Sequence, residues 1–408
     1  MTPRQPVLAV CVLLALTACA PRVTAGRATS APSSNSSTPT RSAASSTAPA
    51  TSTSATHPAT SPTAPQSAAS RVFAAMSEAQ RVGQLLMVDC PSTGIGQATI
   101  AAITQYDVGS VILDGTSLLG AQQTAQLTAQ LQRQAPRGVA LFISTDQEGG
   151  VVQRLRGPGF STVPSAVVQG TLAPSTLQAD AGQWGTELRR AGVNVDLAPV
   201  LDTVPPDFDN NPPIGELDRE YGRTPAAVTT HGLAVVRGLA AAGVDATVKH
   251  FPGLGRVTGN TDVSSGVQDT VTGRTDDYLA PFAAAIKAGA AFVMMSTAIY
   301  TRIDASRPAA FSPTIVTGML RHDLGFSGIV ISDDLGAAAQ VGSYSIGARA
   351  VAFIAAGGDI VLTVDATQAA AMTAAVLART RTDAAFKAQV DAAALAVLRA
   401  KQARGLLS

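Results

Sequence analysis

Three short segments concentrate the residues able to do chemistry. Lys249-His250-Phe251-Pro252-Gly253-Leu254-Gly255 ends an apolar run with a cation and an imidazole, and a Pro and two Gly then shape a tight turn. A Lys-His pair leaving a buried strand is costly without partners, so polar groups or a polar ligand are expected around it. Ile331-Ser332-Asp333-Asp334-Leu335 ends a second apolar run with adjacent carboxylates. Side chains alternate along a strand, so only one of that pair is expected to face a site. Ser144-Thr145-Asp146-Gln147-Glu148-Gly149-Gly150, followed by Val151-Val152-Gln153-Arg154, supplies further acids and a cation. An ionised carboxylate set near a proton donor is the equipment of nucleophilic and acid–base catalysis.

These segments need elements to hold them together. Short, continuously apolar runs read as strands at Leu85–Val88, Gly109–Leu113, Val139–Ser144, Val193–Leu197, Val244–Val248, Ala291–Met295, Gly328–Ser332 and Asp359–Thr363. Between them, Ala/Leu/Gln-rich stretches such as Ser117–Gln134, Ser175–Arg190, Pro225–Ala241, Asp276–Ala288 and Thr367–Arg379 read as helices, and Ser77 reads as an N-cap. Apolar runs without alternation mean burial on both faces, as in a parallel sheet covered by helices. The expectation is an α/β (β/α)8 barrel forming a single catalytic domain, residues 71–408, with a doubly wound open sheet as the alternative. The barrel is favoured because nearly every run ends in a polar cluster, and a barrel brings those ends to one mouth.

Composition narrows the partners. The chain has 408 residues, 46% hydrophobic and 14% charged, with 29 Lys plus Arg against 28 Asp plus Glu, so no basic face is available for nucleic acid. Aromatics are 4% with a single Trp, Trp184, which disfavours a long saccharide cleft paved with stacking rings and leaves room for a small pocket.

The N-terminal region reads as a leader and a tether. Arg4 precedes an apolar stretch from Pro6 to Leu16, far short of the roughly 20 residues that span a bilayer as a helix. Leu16-Thr17-Ala18-Cys19 resembles the lipobox of bacterial lipoproteins, which implies a signal peptide at 1–18 and lipidation of Cys19. Residues 19–70 are Ser/Thr/Ala/Pro-rich and cannot bury enough surface to offset ordering, so a disordered tether is expected. An exported chain, lipid-anchored on the extracytoplasmic face of the cell membrane, follows. Cys90 is then the only thiol of the body, which leaves no internal disulfide and no cysteine-based metal site. A metal-free, cofactor-free monomer is expected.

The motifs KHFPGLG, ISDDL and DQEGG-VVQR, each at a strand end, resemble the family 3 glycoside hydrolases over about Met76 to Leu398, and within them the bacterial β-N-acetylglucosaminidases that trim cell-wall fragments. The resemblance implies Asp333 as nucleophile of a retaining reaction, with a proton donor about 5 Å away. It implies Asp146, Arg154, Arg219, Lys249 and His250 as sugar-binding residues, with Arg154 the positive partner of Asp146. Arg219 is matched through a segment that carries extra residues here. The implied activity is exo-acting release of terminal β-linked N-acetylglucosamine from muropeptide or disaccharide fragments. A β-glucosidase or other exo-β-glycosidase, and a catalytically impaired muropeptide-binding lipoprotein, stand as alternatives.

One position departs from the pattern. The family places its acid/base His in an Asp-Ser-His triplet on the loop after KHFPG, and here that triplet falls on Asn260-Thr261-Asp262. The four His are His57, His231, His250 and His322, and none lies in this loop. Asp262 is therefore the candidate donor. Asp269, Glu216 or the substrate itself are the other routes, a sugar-binding relic is a third reading, and phosphate in place of water is a further possibility.

Overall fold

The structure is a computed structural model that describes residues 67–136 and 138–407. The leader, Cys19 and the tether up to residue 66 lie outside the described residues.

Eight parallel strands close a barrel, as expected. They are β1 (Leu86–Pro91), β2 (Ser110–Asp114), β3 (Phe142–Thr145), β4 (Val195–Asp196), β5 (Asp245–Phe251), β6 (Phe292–Met295), β7 (Ile329–Asp334) and β8 (Ile360–Thr363). Each pairs with its chain neighbours, and β1 closes the ring on β8 with Leu86 opposite Val361. Their aliphatic and aromatic side chains are almost all buried, which explains the absence of alternation in the sequence.

Two strands are shorter than their apolar runs. Val139 lies outside β3 in an isolated bridge to Leu407, and the run Val193–Leu197 contributes only Val195–Asp196. The side chain of Asn194 accounts for part of this, since it takes the Ile143 N–H at 2.9 Å and gives to the Leu141 carbonyl at 3.1 Å, standing in for strand bonds. Pro199 then has no N–H with which to prolong β4.

The surrounding layer comprises α1 (Gln97–Tyr106), α2 (Gly120–Gln134), α3 (Pro174–Arg190), α4 (Pro225–Ala242), α5 (Ala280–Lys287), the π-helix α6 (Thr314–Asp323), α7 (Ile346–Ala356) and α8 (Ala369–Thr380). A last helix, α9 (Ala384–Ala403), lies across the base. Helix starts carry the expected signals: Pro225 opens α4 behind Thr224, which caps Ala227 N–H, and Ser77 forms a reciprocal capping box with Gln80.

The body begins earlier than composition suggests. Ala68–Ser70, grouped with the tether by their small side chains, form the first turn of a helix, Ala68–Ala75. Ala69 is fully buried and gives its N–H to Gln402 Oε1 at 2.8 Å, a tertiary contact that composition does not register.

Candidate active site

The loops leaving the C-terminal ends of the strands surround a cavity of ≈ 390 Å³, bordered by Asp146, Glu148, Arg154, Arg219, Lys249 and His250 together with Asp262 and Asp333. β5 delivers the central cation. Lys249 is buried and its Nζ donates to Asp146 Oδ1 at 2.5 Å and contacts Glu148 Oε1 at 2.7 Å. Glu148 in turn accepts a two-pronged bond from Arg219, Nε to Oε2 at 2.8 Å and Nη2 to Oε1 at 2.7 Å. Arg219 reaches inward because the short 3-10 turn Gly215–Leu217 ends at Asp218, whose left-handed backbone (φ +54°) reverses the chain.

Charge balance explains why such a group tolerates burial. Burial alone would raise Glu148, but Arg219 and Lys249 outweigh it and hold the carboxyl far below its ordinary range. The same carboxylates keep Lys249 protonated against the pull of burial. Asp196, at the end of β4, is pushed up to about 8 by burial and so is neutral at neutral pH. Asp146 and Glu148 are then matched by Lys249 and Arg219, and no net charge is stranded.

His250 is fixed from behind. Its Nδ1 lies 2.7 Å from Asp202 Oδ2, and a carboxylate only accepts, so Nδ1 carries the proton and Nε2 is left for the cavity. Asp202 is fully buried and also accepts the N–H groups of His250 and Leu254, which locks the turn after β5 to the turn after β4.

At the end of β7, both Asp333 and Asp334 border the cavity. This corrects the expectation from alternation, and the reason is local: the register against β8 shifts between Ile331 and Asp334. Their duties still differ. Asp334 accepts the N–H groups of Gly336, Ala337 and Val364, and its carboxylate is spent on shaping the turn. Asp333 accepts only the Asp334 N–H and remains available. Burial pushes the Asp333 carboxyl up to about 6; Asp262 adds to the rise, while His250 and Lys249 oppose it.

The profile of the family described as Glycosyl hydrolase family 3 N terminal domain matches residues 78–400. The chain belongs to glycosyl hydrolase family 3. A curated β-hexosaminidase of Xanthomonas campestris pv. campestris (strain B100) is 36% identical over 301 residues, covering 71% of this chain and 88% of that one. Among solved structures, the β-N-acetylhexosaminidase of Beutenbergia cavernae DSM 12333 is 50% identical with a TM-score of 0.79, covering 80% of this chain and 99% of the other. A family 3 β-N-acetylglucosaminidase of Paenibacillus sp. str. FPU-7 is 32% identical with a TM-score of 0.75, covering 81% of this chain and 63% of the other. The protein is a glycoside hydrolase.

Within this family 3 barrel, the residues singled out from the motifs, Asp146, Arg154, Arg219, Lys249, His250, Asp262 and Asp333, all border the one cavity. The pairing expected between Asp146 and Arg154 is not what forms: Lys249 takes Asp146. Arg154 borders the cavity but makes no ion pair among the described residues, and its buried Nε has no hydrogen-bond partner among them. Asp269 is fully buried and consumed by the Val271 and Thr272 N–H groups and the Thr272 hydroxyl, and Glu216 is exposed away from the cavity lining. Neither borders the cavity, whereas Asp262 does.

Two residues essential to this geometry carry no assignment from the motifs. Glu148 stands two positions after Asp146, the spacing that puts side chains on one face, and that spacing was the available signal. Asp202 closes a polar cluster at a strand end, but its tie to His250 spans 48 residues and has no local signature.

Proposed function

We propose that this family 3 hydrolase is an exo-acting, retaining β-N-acetylglucosaminidase, with Asp333 as nucleophile and Asp262 as acid/base. The observation that carries the reading is the juxtaposition at one small cavity of a free carboxylate at the end of β7, a second, exposed carboxylate on the loop after β5, and a dense array of donors and acceptors suited to sugar hydroxyls. In this scheme Asp333 attacks the anomeric carbon while Asp262 gives its proton to the departing oxygen. Asp262, then ionised, removes a proton from the water that releases the sugar. Lys249, Asp146, Arg154, Arg219 and His250 hold the ring. The names of the relatives support N-acetylglucosamine as the sugar. In the second step Asp333 is esterified, and the ionised Asp262 with Asp334 disfavours an anionic acceptor beside the anomeric centre, which supports water over phosphate.

The lipobox at Cys19 and the Ser/Thr/Ala/Pro-rich segment through about residue 66 support an exported, lipid-anchored protein whose body meets peptidoglycan fragments outside the cytoplasm. Nitrophenyl β-N-acetylglucosaminide assayed beside nitrophenyl β-glucoside tests the sugar. The N-acetyl substrate is expected to turn over well and the glucoside poorly; the reverse order would make the protein a β-glucosidase, and inertness on both would favour a binding role. Asp262→Ala tests the acid: hydrolysis of alkyl glycosides is expected to fall by about 10²–10⁴-fold, while an activated nitrophenyl glycoside retains most of its glycosylation rate. An equal loss on both substrates overturns the assignment.

A further inference from the structure

Asp262 presents an unusual combination: an exposed carboxylate with no hydrogen-bond or ion-pair partner among the described residues, on a backbone that is held from several directions. At the start of its loop, Asn211 Nδ2 donates to the carbonyls of Leu254 and Val257 at 2.8 and 2.9 Å. Arg256 bonds Asp276 Oδ2 at 2.8 Å and lies 3.5 Å above the Tyr278 ring. At its far end the loop meets the 3-10 turn Ala339–Val341, which follows Asp333 and Asp334 in the chain. There the Ala339 N–H donates to Asp262 O and the Gln340 N–H to Thr261 O, both at 3.0 Å.

The Gln340 side chain completes this junction. Its Oε1 accepts the Val267 N–H at 2.9 Å and its Nε2 donates to the Val267 carbonyl at 3.0 Å. Both residues are buried, at 6% exposure each, so the Val267 N–H has no water as a substitute for Gln340, while the Val267 carbonyl also accepts the Ile299 N–H at 3.0 Å. A primary amide of this length offers a donor and an acceptor side by side to one residue at any pH. Gln340 thus grips the loop on both sides of Asp262, by backbone at Thr261 and by side chain at Val267.

We propose that Gln340 is a positioning residue that latches the Asp262 loop onto the segment following Asp333, so that donor and nucleophile are set at their working separation before substrate binds. This rests on the reading of Asp262 as acid/base. Gln340 touches no reacting atom, and its influence passes through Asp262.

The test is Gln340→Met, which keeps the side-chain bulk and removes both bonds, with Gln340→Glu as a milder second variant should the first fold poorly. Glycosylation rates are measured on an alkyl and on an activated nitrophenyl N-acetylglucosaminide, in wild-type and Asp262→Ala backgrounds. Because displacement of a catalytic group by about 1 Å costs up to roughly a hundredfold, Gln340→Met is expected to slow the alkyl substrate by about tenfold to a hundredfold and to leave the activated one within about threefold. KM for the activated substrate should hold. In the Asp262→Ala background the Gln340 substitution should add almost nothing. Gln340→Glu should fall between, recovering towards wild type as pH is lowered, because a protonated carboxyl again offers one donor and one acceptor to Val267. A loss equal on both substrates, or one that persists in full without the Asp262 carboxylate, overturns the latch while leaving the acid assignment intact. If instead Asp262→Ala shows no dependence on leaving group, the acid assignment falls and the latch with it.

Discussion

Asp333 carries the sharpest consequence at the scale of single residues. Its carboxyl is pushed up to about 6, first by burial and further by Asp262, with His250 and Lys249 pulling the other way. A nucleophile must be ionised, so kcat/KM on an activated substrate is expected to rise with pH through about 6 and then level. Asp262→Asn removes a negative neighbour, so this limb should move to lower pH; a limb that stays or moves upward would count against the proximity of the two carboxylates. Asp333→Asn should leave no more than a trace of activity on either leaving group. Much of this site was legible in the chain, because Lys249, His250, Asp333 and Asp146 each stand at the end of an apolar run that ends at the mouth. What was not legible is the wiring behind them. Glu148 binding both Lys249 and Arg219, Asp202 holding His250, and Lys249 rather than Arg154 pairing with Asp146 are contacts between segments far apart in the chain. Gln340 is harder still, since a neutral amide after Ala337-Ala338-Ala339 carries no charge or motif to mark it.

At the scale of elements, the strands announced themselves by continuous burial, and their order followed from the chain because each βα unit lies beside the next. Strand ends were less legible, as at β4, where the Asn194 side chain replaces ladder bonds and Pro199 has no N–H to extend them. Helix packing rests on small residues whose importance appears only in three dimensions. A Cβ at Gly238 of α4 would lie 2.5 Å from the Gln178 carbonyl oxygen and 2.8 Å from the Gly182 nitrogen of α3, both backbone atoms that cannot swing aside. The two helices would have to separate. Gly238→Ala is therefore expected to cost about 1–3 kcal/mol despite the better helix propensity of Ala. Chemical denaturation should register this loss while kcat/KM stays near wild type, because α3 and α4 form the outer layer and do not border the cavity. A variant as stable as wild type would show that the interface relaxes without strain.

For the whole molecule, the mouth and the base of the barrel solve opposite electrostatic problems. The mouth buries cations against carboxylates, whereas the base buries Lys401 of α9 with neutral partners: its Nζ donates to Gln84 Oε1 and to the Gly109 carbonyl, each at 2.8 Å, and lies 5.5 Å from the Phe142 ring centre. This ties the last helix to the barrel, beside the Arg404–Asp245 pair that holds the same helix end to β5. Burial pulls Lys401 down to about 7 from an ordinary 10.5. The unfolded chain therefore holds this proton up to about 10.5, and the folded chain releases it from about 7. Between these limits the unfolded state binds more protons, so this group makes stability rise with pH, by at most about 1.4 kcal/mol per pH unit. Below about 7 both states are protonated and the full penalty of a buried ammonium applies. Lys401→Met removes the titration but orphans two acceptors, so its net effect on stability depends on pH. Relative to wild type it should be most favourable near pH 6 and least favourable near pH 10, read as the difference in unfolding free energy across that range. A difference that does not change with pH would mean that Lys401 keeps its proton in the folded state, with Gln84, Gly109 and Phe142 together sufficient to hold the charge.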